Sequence, residues 1–351
     1  MKNRWIKLQR ILKDPLRKSL LRIVLEFSKE CVTQKRIVQE YFSRLCYRKN
    51  YPSLHNYVKD KDIGKLQTSR VLHSDQSAET LINKVSFYRF CKKHQIPTPQ
   101  VLAYSKDKEL FSIDDQKLDD SYESLKAKLY EWIEKSKHQS IFIKPVDAKG
   151  GVGAYKLNKE KLNDEVYVKS VYHSIINKNY IIQETILQHP DIAKINPDAI
   201  NTVRIDTYQP INEPSRVLSA LMRFGRNGSV VDNPGSSSGF FIPLDLTTHQ
   251  LKAPGLQLSV VGNHTYTKHP DTNIELENHH VPYVNEIIQL VNRACMALED
   301  RLVGWDVCVG VDGPIIIEGN HNYHVLMQEV AYGGYKNHPE FINVLKEENI
   351  H

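Results

Sequence analysis

The stretch Gly304 to Asn320, GWDVCVGVDGPIIIEGN, reads as a β-hairpin with a carboxylate on each arm and an amide two residues past the second. The runs VCVGV and PIII are what strands prefer, so Asp306, Glu318 and Asn320 must be solvated, paired or bound to something. Loop length decides whether they meet. A two-residue turn at Asp312-Gly313 would set Glu318 opposite Val307 and point Asp306 to the other face. A three-residue loop, Val311-Asp312-Gly313 with Gly313 in the left-handed position of a bulge, sets Asp306 opposite Glu318, and this is the expected arrangement. Cross-strand Cβ atoms then lie about 5 Å apart, and the period of two returns Asn320 to the face of Glu318. Two carboxylates and an amide carbonyl so spaced suit Mg²⁺, which takes oxygen ligands and keeps positions for water or phosphate. A hairpin whose polar ends lie at a solvated rim fits the same residues.

The chain around it has 351 residues, 40% of them apolar, enough for two or three lobes with real cores. Five cysteines without a CxxC pair argue against a disulfide framework and for a reducing, cytoplasmic setting. No HExxH or paired Cys/His spacing supports zinc. Charge is uneven: residues 1–50 hold 14 Lys+Arg against 4 Asp+Glu, a net of +10, leaving −4 for the other 301. That basic segment carries Leu20, Ile23, Val24 and Phe27 at helical spacing, with Asp14 as the expected cap and Pro15 at the first helical position. It is too often charged to span a bilayer or act as a secretory signal. A helix packed on its own protein, an interfacial helix on anionic lipid at the inner face of the membrane, and a nucleic-acid patch all fit this mixture. No nucleic-acid partner is expected.

Helical patterns run to about residue 60, followed by a loop-rich connection, 69–80, and a helix, 81–94. Pro97 and Pro99 then mark a turn into a strand ending near Ser105. The polar stretch 105–138 holds one expected helix, 121–137. Strands are expected at 140–147, 154–158, 179–187, 200–209, 215–226 and 228–234, and a helix at 281–300. Helices and strands mixed without βαβ repeats indicate α+β lobes rather than a doubly wound sheet.

Chemistry collects at a few points. Lys144 ends an apolar strand, and Lys149-Gly150-Gly151-Val152-Gly153 follows as a flexible turn whose N–H groups can approach phosphate closely. The turn lacks the Gly-Lys-Ser/Thr ending and the following helix of a Walker loop, and it is not a dinucleotide fingerprint. A flap over a nucleotide and a plain hairpin turn both fit. In INTVRIDTY, Arg204 shares a strand face with Thr202 and Asp206, which reads either as a cross-strand ion pair or as a clamp on a transferring phosphoryl group. Lys84 sits on a helix among apolar neighbours, and Glu184 closes a strand.

The order of these features, with the blocks IKPVDAKGGVG, NTVRIDTY, MRFGRNGSVVDNPGSSSG, KHPDT and GWDV…DGP…EGN, resembles the sugar-transfer-associated ATP-grasp family over about residues 75–335. The resemblance implies an α+β ATP-grasp fold, with an N-terminal part and lid at 75–185 and a catalytic part at 186–345; the basic helical region at 1–74 precedes it, and the resemblance does not cover its first 60 or so residues. It implies ATP held by Lys84 and Lys144 under the flap of Lys149, Gly150, Gly151 and Gly153. Adenine would lie along Gln183, Glu184, Thr185 and Ile186, with Gln188 near the ribose. Asp306, Glu318 and Asn320 would hold Mg²⁺, and Arg204 and Lys144 would serve the transferred group. Substrate-side candidates are Arg223, Asp232, Asn233, Ser236, Ser237 and His269. The implied reaction is ADP-forming ligation of a carboxylate to an amine, on a sugar acid or glycan precursor. A phosphotransferase and a nucleotide-binding accessory protein docked on glycan-assembly enzymes through residues 1–50 are the alternatives.

Overall fold

The computed structural model describes residues 2–147, 152–229, 231–236 and 238–350, with the side chains of residues 2–4 and 7 left aside. Helices α1 (Lys2–Lys13), α2 (Leu20–Gln34), α3 (Glu40–Ser43), α4 (Asp60–Gln67), α5 (Asp75–Ile82) and α6 (Lys84–Lys93) come first. A six-stranded antiparallel sheet follows, built from β1 (Val101–Lys106), β2 (Glu109–Ser112), β3 (Lys117–Leu118), β4 (Ser140–Pro145), β5 (Tyr155–Asn158) and β6 (Tyr180–Glu184) in the order β3-β2-β1-β6-β4-β5. Helices α7 (Tyr122–Lys135), α8 (Lys159–Leu162) and α9 (Glu165–Asn177) cover it. The spacing of Leu125, Leu129 and Ile133 on α7, and of Val168, Val171 and Ile175 on α9, puts one apolar stripe of each helix against Ile141, Ile143 and Ile182.

After α10 (Pro190–Ala193), the chain builds a second, eight-stranded antiparallel sheet from β7 (Thr202–Tyr208), β8 (Arg216–Gly225), β9 (Gly239–Asp245), β10 (Gln250–Leu251), β11 (Gly255–Leu256), β12 (Thr265–Tyr266), β13 (Leu302–Gly310) and β14 (Gly313–Asn320). Helix α11 (Val284–Met296) packs Ile287, Leu290 and Val291 on one face, against Val203, Ile205, Trp305 and Val307. The other face meets α12 (Leu326–Tyr332), α13 (Phe341–Glu347) and the N-terminal helices. Every residue of β7 and of β13 is buried, so these central strands lie between two packed layers.

The basic N-terminal region is part of this packing. Ile23, Tyr41, Leu45 and Tyr57 share one apolar cluster with Leu221 of β8 and Phe241 of β9. Asp14 is not a helix cap: α2 starts six residues later under Ser19, whose side chain accepts the Arg22 N–H. Asp14 is buried instead, taking the Arg48 guanidinium and the Tyr47 hydroxyl, each at 2.7 Å. Arg44 is likewise buried between Glu329 of α12 (3.2 Å) and Asp60 (2.7 Å).

Three further expectations change. The connection 69–80 contains most of α5, because Ser74 caps it through the Ser77 N–H. The polar stretch 105–138 holds β2 and β3 besides its helix; Asp107 and Lys108 both adopt left-handed φ, 52° and 69°, and close a two-residue hairpin without glycine. The segment expected as a strand at 228–234 belongs to no strand among its described residues, since β8 ends at Gly225 and the buried Asp232 anchors the turn to Thr202.

Replacing Asp14 by Asn leaves the buried Arg48 charge without its counter-ion. The variant is expected to lose about 3 kcal/mol or more of stability, read as a lower urea midpoint at unchanged slope.

Candidate active site

The β13–β14 hairpin turns through two residues, Val311 and Asp312, with Gly310 paired to Gly313, not through the three-residue loop expected from the sequence. Asp306 nevertheless lies opposite Glu318. The register shifts between Val307↔Ile316 and Asp306↔Glu318, so Ile317 is the extra residue of a bulge. The bulge lets Ile317 and Glu318 both line one cleft, which a regular two-residue alternation would forbid. Between Glu318 and Asn320 only glycine fits: a Cβ on Gly319 would come within 2.8 Å of Leu81 and 2.9 Å of the Trp305 ring.

Asp306 is the centre of the cleft wall. Arg204, its backbone partner on β7, holds it through Nε to Oδ1 and through Nη2 to Oδ2 at 3.1 Å. Arg223 on β8 adds a contact from Nη2 to Oδ2 at 2.9 Å. Burial works against ionisation of Asp306, but the two guanidinium groups outweigh it and hold the carboxylate well below its ordinary range. Glu318 is shifted the other way, by burial and then by the negative charge of Asp306. Thr202 joins Arg223 to the turn after β8: its hydroxyl accepts from Arg223 Nε at 2.9 Å and donates to Asp232, which also takes the Thr202 N–H at 2.8 Å. Burial raises the pKa of Asp232. Asp206, two residues beyond Arg204, is also buried; Gln328 donates to it at 2.9 Å, and burial pushes it up to about 7.

The six-stranded sheet supplies the opposite wall. Lys144 at the end of β4 and Lys84 at the start of α6 face the cleft with Phe142, Gln183, Glu184, Thr185 and Ile186. Lys84 Nζ donates to Val146 O at 3.0 Å. Burial, opposed by Glu318 and reinforced by Lys84, pushes Lys144 down to about 8. The cleft has a volume of about 370 Å³. Thr185 Oγ1 is buried at the β6 end with no hydrogen-bond partner among the described residues.

Of the sequence-derived candidates, Lys84, Lys144, Gln183, Glu184, Ile186, Arg204, Arg223, Asp232, Asn233, Asp306, Glu318 and Asn320 come together around this cleft. Lys149, Gly150, Gly151 and Ser237 lie outside the described residues. Gly153 adopts φ 75°, and its carbonyl takes the Tyr180 hydroxyl at 3.1 Å, while its neighbours Val152 and Ala154 line the cleft. Three candidates do not line the cleft. Gln188 is buried outside the cleft lining, its amide spent on the Asn201 N–H and carbonyl at 3.1 Å each. His269 is fully buried, bonded from Nε2 to Gly225 O at 2.9 Å and packed on Phe224 and Phe240. Ser236 donates to Asn233 O at 2.8 Å within its own turn. Sequence reasoning did not single out Thr202 as a site residue; the period-two face shared with Arg204 is the signal that points to it.

The donor set fits a hard divalent cation. Two facing carboxylates, one of them disfavoured in its charged form by the other, gain from a cation between them. Asn320 commits its NH₂ to Gly304 O at 3.3 Å and leaves its carbonyl end. No group of three or more His, Cys, Asp or Glu side chains suited to a metal occurs among the described residues, so a metal here would draw on non-protein oxygens as well.

The profile of the sugar-transfer associated ATP-grasp family matches residues 66–338. The chain belongs to that family. Its two α+β halves, a smaller antiparallel sheet facing a larger one, form the ATP-grasp fold. Among solved structures, it is similar to the ATP-grasp ligase PsnB complexed with minimal precursor, at 14% identity over 79% of this chain and 64% of that one, with a TM-score of 0.44. It is also similar to D-alanyl-alanine synthetase A from Vibrio cholerae (12% identity, 78% and 66% covered, TM-score 0.45). A carboxyaminoimidazole ribonucleotide synthase from Aspergillus clavatus complexed with ATP follows (11% identity, 70% and 45% covered, TM-score 0.42). The chain spans less than two thirds of the length of each of these structures. No curated protein matches the sequence.

In this ATP-grasp chain, Lys144 is charged below about pH 8 and neutral above it. Affinity for ATP is expected to fall as pH rises through that value, and Lys144→Arg, whose guanidinium does not titrate there, is expected to flatten the profile. Calorimetric titrations from neutral to alkaline pH check both.

Proposed function

We propose that this chain is an ATP- and Mg²⁺-dependent ligase that joins a carboxylate to an amine with release of ADP and phosphate. One observation carries this reading: four cationic side chains, Lys84, Lys144, Arg204 and Arg223, converge with the Asp306–Glu318 pair on one cleft between the two sheets. Four carboxylates, Glu184, Asp232, Asp306 and Glu318, line the same cleft, and this mixed lining suits a polyphosphate that arrives with a divalent cation and transfers its end group to an anionic acceptor. ATP would lie between the parts 75–185 and 186–345, its base toward Glu184 to Ile186. When bound, Mg²⁺ on Asp306, Glu318 and Asn320 would neutralise phosphate charge.

In the proposed reaction a substrate carboxylate oxygen bonds to the γ-phosphorus of ATP as the bond to ADP breaks. The amine nitrogen then bonds to the acyl carbon, inorganic phosphate leaves, and the nitrogen loses a proton. The protein's part is to position and neutralise. Arg204 and Arg223, held in place by Asp306, would offer donors to the transferred group, and Lys144 would balance charge from the opposite wall.

A carboxylate acceptor is favoured over a hydroxyl by the lining itself. A hydroxyl must lose its proton to a base, yet no histidine lines the cleft among the described residues. Of the four carboxylates that line it, Asp232 is engaged by Thr202 and Asp306 by two guanidinium groups, Glu318 would be taken up by the metal, and Glu184 would lie beside the base of ATP. A carboxylate needs no base. The family's association with sugar transfer supports a sugar acid or glycan precursor as the acceptor, in the cytoplasm where ATP is made.

Two measurements test this. With ATP, Mg²⁺ and pooled uronic and amino acids, phosphate release is expected only when both pools are present; a stable phosphorylated product from one pool would replace the ligase with a phosphotransferase. Glu318→Gln is expected to cut turnover by about a hundredfold or more. Because the raised pKa means that charged Glu318 costs stability at neutral pH, the same variant is expected to melt at or above the parent temperature without metal. Normal turnover in it would refute the assignment.

A further inference from the structure

Helix α2 is apolar on two sides. Ile23, Phe27 and Cys31 form its inner face, in the cluster that holds the N-terminal region to β8 and β9. About 100° or more around the helix, Leu21, Leu25 and Val32 recur at spacings of four and seven and point outward, 72%, 62% and 77% exposed. Helix α1 repeats the pattern: Ile11 packs inward, while Trp5, Leu8 and Leu12 form an exposed stripe at spacings of three and four. An outward stripe of this kind on two successive helices marks a surface that is covered in use.

Its charge says by what. All four acids of residues 1–50 are taken up internally. Asp14 is buried with Arg48 and Tyr47; Glu26 is held by Lys18, Arg22 and Tyr41; Glu40 is held by Arg36; Glu30 accepts from Gln34. The cations exceed them by ten. Arg10, Lys13, Lys29 and Lys35 form no ion pair with an acid among the described residues. The surface around the stripe is therefore both apolar and positive. A second copy of the chain would cover the apolar part but bring the same positive charge against it. A nucleic acid would answer the charge but leave the leucines in water. An anionic bilayer answers both, taking apolar side chains at the acyl boundary and Lys/Arg at the headgroups.

We infer that α1 and α2 dock this protein on an anionic membrane surface, lying in the interface on the Trp5–Leu12 and Leu21–Val32 stripes. No helix is long and apolar enough to cross a membrane among the described residues, so the contact is peripheral. The inference does not depend on the proposed ligase reaction, since vesicle binding is read without ATP.

The test uses the full chain with phosphatidylcholine vesicles that contain or lack phosphatidylglycerol. Binding is expected with the anionic lipid only, weakened by salt. It is expected to bring a blue shift of tryptophan emission that Trp5→Phe abolishes, since Trp5 is exposed on α1 whereas Trp305 is fully buried and Trp132 is partly buried on α7 against the six-stranded sheet. Leu21→Glu/Leu25→Glu is expected to weaken vesicle binding about tenfold or more. Lys13→Glu/Lys29→Glu, which leaves the apolar stripe intact, is expected to lower it as well and to reduce its salt dependence. Circular dichroism melting shows whether each variant folds, and the charge-reversal pair decides the matter if the leucine pair does not. Equal binding of parent and folded variants would overturn the inference. So would absence of the Trp5 shift, binding of an RNA oligonucleotide in place of vesicles, or a concentration-dependent dimer that Leu21→Glu/Leu25→Glu dissolves without any vesicle binding.

Discussion

A buried carboxylate gripped by two guanidinium groups fixes the rest of this site. Arg223, Arg204, Asp306 and Glu318 come from four strands that are neighbours in the sheet, β8, β7, β13 and β14, so the site is read across the sheet rather than along the chain. Backbone pairing aligns Arg204, Asp306 and Glu318 in one row. Burying such charges is costly, and the cost is met only while each has its partner in good geometry. That demand fixes strand order and register together: slipping β14 by one residue would take Glu318 off the row and leave Ile317 facing Asp306.

The arrangement leaves one charge unsettled. Asp306 is fully answered by its arginines, whereas Glu318 faces a like charge and only the more distant pull of Lys144 and Arg204. Lys144 in turn is driven partly toward its neutral form by burial and then by Lys84. Both groups therefore gain when compensating charge enters the cleft, cationic beside Glu318 and anionic beside the lysines. Magnesium and a triphosphate carry those two signs, and this is the physical sense in which the protein's own electrostatics are incomplete. Below the row, Asp206 continues the polar face into the interior, where Gln328 and Tyr335 answer it. The polar alternation of β7 is thus spent partly on the cleft and partly on holding α12.

The sequence made much of this legible, because strand periodicity is a local property. Thr202, Arg204 and Asp206 fall on one face by alternation alone, and the polar trio in an apolar hairpin had to be answered by something. What stayed hidden depends on contacts distant in sequence. The bulge at Ile317 carries no glycine to announce it, and the expected pairing of Asp306 with Glu318 was reached through a loop length that the structure corrects. The left-handed pair Asp107-Lys108 closes a hairpin without the usual Asn-Gly or Asp-Gly signal. Gln188 and His269 are polar residues near the right segments whose bonding groups are satisfied inside the protein, by Asn201 and by Gly225. Only the folded neighbourhood separates such a residue from a ligand-binding one.

The N-terminal helices add a constraint that composition does not reveal. Their inner faces are held on the eight-stranded sheet by apolar packing, and the region is tied to α12 by the buried Arg44–Glu329 pair and to itself by Asp14–Arg48. Glu329 adjoins Gln328, which bonds Asp206, which shares its strand face with Arg204. A continuous set of buried partners therefore runs from α3 to the arginine row. Such continuity is not evidence of signalling, but it is evidence of rigidity, because its two polar contacts, Arg44–Glu329 and Gln328–Asp206, are buried and expensive to break. Whatever the outward stripes of α1 and α2 rest on, the catalytic sheet cannot swing freely about that contact as it could on a flexible linker. Its orientation to the surface is set by the same buried charges that hold the fold together.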